Sequence, residues 1–261
     1  MKPLPAGCQE VCGSPANATS ATRRLLRSNR WCGNRLKGAC NDCAWRGSIS
    51  SFYIRTWCST RSIWRAGQKP SRMTLYATFV AHIRPLFERL VAEGLIGAWG
   101  LTGIGHPDTI IKLLGERPAP AAVQCIANLL DSPGGLKFFD GPAKPRTVMA
   151  AARASEVGVM GIRAVQAGAL TSAIDRPLPA DHPEMRDYTR AAGFRRLAAE
   201  LGVTPAMLAH RYALTLEVDT LVLGVKNRQE LAECVAAAEA GPLPAELLAR
   251  IDQTVDRTDE K

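Results

Sequence analysis

Lys226 and Arg228 stand two residues apart, just after Gly224 and on either side of Asn227. The four residues before Gly224, 220–223, are mainly apolar with β-branched Thr220 and Val222, which predicts a short buried strand. Asn227 is a favoured helix N-cap, and residues 228–240 predict a helix that stops at Gly241 and Pro242. A strand therefore turns through glycine into a helix N-terminus flanked by two cations. The free N–H groups and partial positive charge of a helix start hold phosphate well, and the cations add to that. The same residues also describe an ordinary strand-to-helix connection with two solvated cations.

Stepping N-terminally, strands and helices alternate from residue 78 onward. Phe79, Val80, Ile83, Phe87, Leu90 and Val91 recur at helical spacing up to Gly94. Residues 95–101 predict a strand ending in Thr102 and Gly103. Pro107 opens a helix closed by Gly115. Residues 121–126 predict a second buried strand ending near Asn128, and a helix follows from Pro145 to Ala154. Gly158 precedes a third strand, 159–162, and a long loop runs from Gln166 to His182. Helices are expected over 183–201 and 205–214, the latter capped by Thr204. After the phosphate-loop strand and helix, residues 244–255 predict a closing amphipathic helix. Four strands, each followed by at least one helix, argue for parallel βαβ units. Thr102, Gln124, Asn128, Arg163 and Lys226 all fall at strand C-terminal ends, where a TIM barrel places its chemistry. A doubly wound sheet would need a glycine-rich turn after its first strand, and none is present.

The first 73 residues are of another kind. They hold 13 of the 33 Lys and Arg against only Glu10 and Asp42, and six of the eight Cys. The remaining 188 residues carry 20 basic and 22 acidic side chains, so the net charge of +9 belongs to the leader and not to the fold. No helical or strand period is sustained there, although residues 48–57 could form a short strand. Its acid-poor, Arg- and Ser-rich composition suits a transit peptide, but its length and its Gly-Cys and Trp-Cys pairs do not. Cys8 and Cys12, with Cys40 and Cys43, have the spacing of zinc knuckles, yet the gap between them is long and no His lies nearby. No metal site is expected. Clustered Arg with Trp can bind single-stranded nucleic acid, but no aromatic platform is evident, so nucleic acid is not an expected partner. The leader reads as disordered or non-native sequence. No apolar run reaches the length of a membrane span, and a cytoplasmic location is expected.

Residues 79–243 resemble the C-terminal half of an aldo/keto reductase, a TIM-barrel oxidoreductase that uses NADPH. Four stretches carry the resemblance: 97–103, 123–128, 158–163 and 221–234. The resemblance implies an incomplete α/β barrel of four β/α units over 74–243, with the disordered basic segment 1–73 before it and a C-terminal helix and tail, 244–261, after it. It implies that Thr102 and Gln124 meet the carboxamide of NADP(H), and that Gly224, Lys226 and Arg228 take its 2′-phosphate. At four positions the chain departs from the family pattern: Thr102 stands for Ser, Gly103 for Asn, Ile162 for a stacking aromatic, and Cys234 for the Asn that holds adenine. The family's catalytic Asp, Tyr, Lys and His belong to strands expected before residue 78, and Tyr53, Tyr76, His82, His106, His182 and His210 lack their context. No catalytic residue is assigned. The expected function is therefore that of an aldo/keto reductase acting on a small-molecule carbonyl, present as a truncated chain of doubtful activity. The alternative is a non-catalytic cofactor-binding or interaction protein. Open sheet edges would favour self-association.

Overall fold

A computed structural model describes Trp57–Cys58 and residues 74–256. The zinc-type cysteine pairs, Tyr53 and nearly all of the leader lie outside the described residues. The fold is α/β with a parallel sheet.

A two-residue strand β1 (Trp57–Cys58) pairs in parallel with β2 (Thr74–Leu75). A helical stretch begins at Tyr76, passes through a π-helical turn at Phe79–Ile83 and becomes α1 (Arg84–Ala92). The main sheet then alternates with helices, as expected for βαβ units. Its order is β3 (Gly100–Thr102), β4 (Ala122–Ile126), β5 (Gly158–Ile162), β6 (Thr220–Leu221), and every pairing is parallel. Helix α2 (Pro107–Gly115) connects β3 to β4, and α3 (Pro145–Ala154) connects β4 to β5. Three helices connect β5 to β6: α4 (Pro183–Arg190), α5 (Ala192–Glu200) and α6 (Pro205–Thr215). Helices α7 (Arg228–Ala240) and α8 (Ala245–Asp252) end the described chain.

One face of the sheet is sealed against helices. Leu101, Val123, Cys125 and Val159 are at most 3% exposed and join Ile110, Leu113 and Val148 of α2 and α3 in one core. Trp99 extends it between Phe79 and Phe87, with ring centroids 5.9 Å apart in both contacts. A second core gathers Leu170, Phe194, Leu208, Tyr212 and Ile251, so α8 is packed into the domain. A polar chain crosses beside it. Arg146 donates to Asp131 (2.7 Å) and to the Tyr212 hydroxyl (2.8 Å), which donates to Asp252 (2.7 Å).

Three element boundaries differ from the sequence reading. The strand expected over 95–101 begins only at Gly100, because Leu95 and Ile96 bend back and donate their N–H groups to the carbonyl of Leu90. Leu95 is left 66% exposed. The helix expected over 183–201 is two helices, with Ala191 at ψ 9° between them. The strand expected over 220–223 pairs only at Thr220 and Leu221, after which the Val222 N–H makes one more bond to Gly161.

Candidate functional site

The strand register brings two of the predicted site residues together. Thr102 is the direct cross-strand partner of Gln124, Gln124 of Met160, and Met160 of Thr220. Because side chains alternate along a strand, this row faces away from the helix-packed core. Gln124 and Met160 are half-buried and Thr220 is exposed, whereas Thr102 is buried. The Gln124 side-chain amide makes no hydrogen bond among the described residues, so it is not the satisfied core amide that its apolar neighbours could suggest.

Gly103 has a local reason. Its N–H donates to the Gln124 carbonyl at 2.6 Å, and a Cβ there would lie 2.4 Å from the same oxygen. The backbones approach so closely that no side chain fits, which accounts for glycine where the family pattern has asparagine. Ile162 lies one step beyond the row, paired with Ile126.

Asn128 and Arg163, at the ends of β4 and β5, are committed to the protein itself. Asn128 is fully buried; its Nδ2 donates to the Ser132 carbonyl (3.1 Å) and the Arg163 carbonyl (3.2 Å), and its Oδ1 accepts from Leu130 and Ser132. Arg163 donates to Gln166 (2.8 Å) and to the Glu184 carboxylate (3.0 Å), an ion pair that ties the end of β5 to the start of α4. Arg163, Gln166 and Ala167 all have positive φ, near 61°, 47° and 50°, a costly conformation that the surrounding bonds fix. Ser132 and Gln166 both donate to Asp187, at 2.6 and 2.7 Å. Burial alone would raise the Glu184 pKa, but bonds from the Gly135 N–H and from Arg163 outweigh it and hold the carboxyl below its usual value. Sequence reasoning missed Ser132, Gln166, Glu184 and Asp187. Their only signal was an excess of polar residues in a loop and at a helix start.

The loop after β6 is built as predicted but partly occupied. Asn227 caps α7 by accepting the Glu230 N–H at 2.9 Å. The Glu230 carboxylate folds back over the first turn and accepts from the Lys226 N–H (2.8 Å) and from the Asn227 amide (3.1 Å). A side-chain anion therefore already sits near the helix start. Lys226 forms an ion pair with Asp175, linking the β6 loop to the β5 loop. Gly224 and Arg228 are exposed, and Arg228 has no partner among the described residues.

His82 is exposed on its helical turn. His182 caps α4, with Nδ1 2.5 Å from a Glu184 carboxylate oxygen and 3.4 Å from the Glu184 N–H. Cys234 lies 3.5 Å from His210 Nε2 between α6 and α7, so its thiol faces a neighbouring helix. Burial raises the Cys234 pKa and lowers that of His210, keeping both neutral. Burial also pushes Cys125 up to about 12. Among the described residues, no three metal-binding side chains gather.

The family profile described as "Aldo/keto reductase family" matches residues 67–256, nearly three-quarters of the chain.

The chain belongs to the aldo/keto reductase family.

It is thus a member of an oxidoreductase family. Solved structures similar to it include an aldo-keto reductase AKR11C1 from Bacillus halodurans, in apo and holo forms. The apo form is 23% identical with a TM-score of 0.48, covering 67% of this chain and 56% of that one. The holo form is 21% identical with a TM-score of 0.48 and covers 67% and 55%. MGS-M4, an aldo-keto reductase from a Medee basin deep-sea metagenome library, is 11% identical with a TM-score of 0.49, covering 71% and 57%. The chain thus spans little more than half the length of these aldo-keto reductases. No curated protein matches the sequence. No helix among the described residues is long and apolar enough to cross a membrane.

Proposed function

We propose that the chain binds NADP(H) at the C-terminal ends of its strands and descends from reductases of small-molecule carbonyls. The observation that carries this reading is the adjacency of buried Thr102 and half-buried Gln124 in one cross-strand row, with the Gln124 amide unengaged. A primary carboxamide needs both a donor and an acceptor, and glutamine supplies the pair. Lys226 and Arg228 at the start of α7 suit a 2′-phosphate, provided Lys226 exchanges Asp175 for the phosphate and the Glu230 carboxylate swings aside. When bound, the nicotinamide supplies hydride. Thr102 and Gln124 would orient it, and Lys226 and Arg228 would select the phosphorylated form.

Reduction also needs a proton at the carbonyl oxygen. All three described tyrosine hydroxyls are engaged: Tyr76 on Glu116, Tyr188 on the Ser172 carbonyl, Tyr212 on Asp252. That favours the second reading, a cofactor-binding protein without turnover. The same proposal treats the chain as an incomplete TIM barrel in the cytoplasm, with boundaries near 73 and 243. It also includes association of the chain with itself through open sheet edges.

Titration of the full chain with NADPH and NADH, followed by nicotinamide fluorescence, tests the proposal. Lys226→Ala with Arg228→Ala should weaken NADPH about tenfold, the equivalent of about 1.4 kcal/mol, and leave NADH nearly unchanged. Gln124→Ala should weaken both. Steady NADPH oxidation with a simple aldehyde would show that a proton donor is present and would sink the reading without turnover. Absence of saturable binding by either cofactor would sink both.

A further inference from the structure

Among the described residues, four of the six exposed large apolar side chains lie at one place, the β6–α7 end: Val222 and Val225 after the strand, Leu231 and Val235 on the helix. At the opposite end of the sheet, the stretch leading into α1 covers the approach to β3 with Phe79 and Phe87 against Trp99. The two ends are therefore not equivalent.

Helix α7 carries a self-complementary stripe. Its buried side, Cys234 and Ala237, faces α6. Arg228, Leu231, Val235 and Glu239 are all exposed. At about 100° per residue, these four fall within roughly 80° of one another, on a face turned away from Ala237. The order along the stripe is cation, apolar, apolar, anion. Exposed Ala232 and Ala236 beside it leave room for close approach. Neither Arg228 nor Glu239 has a partner among the described residues. When this stripe meets a second copy of itself across a two-fold axis, the helices run antiparallel. Leu231 then faces the partner's Val235, and Arg228 faces the partner's Glu239, twice over. A two-fold contact uses one patch on both subunits and closes on itself, so it yields a dimer and not a filament.

We infer that the outer face of α7 pairs with α7 of a second copy of this chain, in an antiparallel two-fold dimer. This rests on the reading that the chain self-associates, and it names the surface and symmetry. Two 13-residue helices make a small interface. The dimer therefore dissociates on dilution, and its charged ends weaken in salt. Arg228 is also the outer cation of the phosphate loop, so pairing and phosphate capture compete for it.

Light scattering on the full chain over a concentration series tests this. The mass should rise from one chain to two and no further. Leu231→Lys with Val235→Lys should abolish the rise while circular dichroism keeps its helix signal. Arg228→Glu alone and Glu239→Arg alone, both at exposed positions, should each weaken pairing about tenfold or more. The double variant Arg228→Glu with Glu239→Arg should restore it, because the two ends exchange signs in both copies. A monomer at every concentration would end both self-association and this contact. A growing, open-ended mass, a dimer indifferent to the Lys pair, or a double variant that stays weakened would leave self-association standing and overturn this interface.

Discussion

The β3–β5 part of the sheet and the β6–α7 part are written in the same code, a short apolar strand followed by a helix, yet they are built differently. In the first, Val123 and Val159 are wholly buried. The loops beyond those strands are locked by the Asn128, Arg163, Gln166, Glu184 and Asp187 bonds. In the second, β6 pairs over two residues, and Val222 is 43% exposed. β4 and β5 have a strand on each side, whereas β6 is the last strand of the described sheet. Flanking structure, more than local propensity, separates a core strand from an edge. The proposed function uses both parts: the rigid one would orient a carboxamide, and the exposed one would meet phosphate or a second copy.

The contrast predicts a graded set of stabilities. Glu184→Ala should cost most, about 3–5 kcal/mol in urea unfolding, because it leaves the half-buried Arg163 without its carboxylate. The same group gives stability a pH slope. Its carboxyl is held below the usual value in the folded chain, so its contribution is complete above the unfolded pKa of about 4.3. That contribution is lost as pH falls through the folded value. The urea midpoint should therefore drop on acidification into that range, and Glu184→Gln should flatten the drop. A slope unchanged in Glu184→Gln would move its origin to another carboxylate.

Next comes the core. Leu113→Ala, at 1% exposure, should cost about 2–5 kcal/mol through lost burial and a cavity. Tyr212→Phe is gentler: it removes the hydroxyl between Arg146 and Asp252, for about 1–3 kcal/mol. Smallest is the edge, where Val222→Ala should change the unfolding free energy of the monomer by less than about 0.5 kcal/mol. A loss at Val222 as large as that at Leu113 would break the comparison, because it would mean that the edge is covered in solution.

Much of the architecture was legible in order and type of residue. Asn227, Thr204, Pro107 and Pro145 mark their helix starts because caps and prolines act locally, within one turn. Helix α7 spans the residues predicted for it. The parallel sheet follows from strands separated by helical lengths, and Thr102 and Gln124 could be named from the stretches that resemble the family. Legibility failed where the deciding partner was far away in sequence. Nothing near Arg163 announces Glu184, and nothing near Cys234 announces His210. The strand at 95–101 was shortened by a hook onto Leu90 that its apolar pattern cannot encode.

By itself, the sequence determined the local elements, their alternation and the chemical types at strand ends. These depend on backbone propensity, capping and periodicity over a few residues. Tertiary structure decided which of those types stay available. Register set Gln124 beside Thr102 with its amide unengaged, while packing bound Asn128 and Arg163 into the loops and Cys234 against a helix. It also folded Glu230 and Asp175 over the place where Lys226 would meet a phosphate. Hydrogen bonds and ion pairs are short-ranged, so whether a polar side chain is spent or spare depends on what the fold brings within about 3 Å of it.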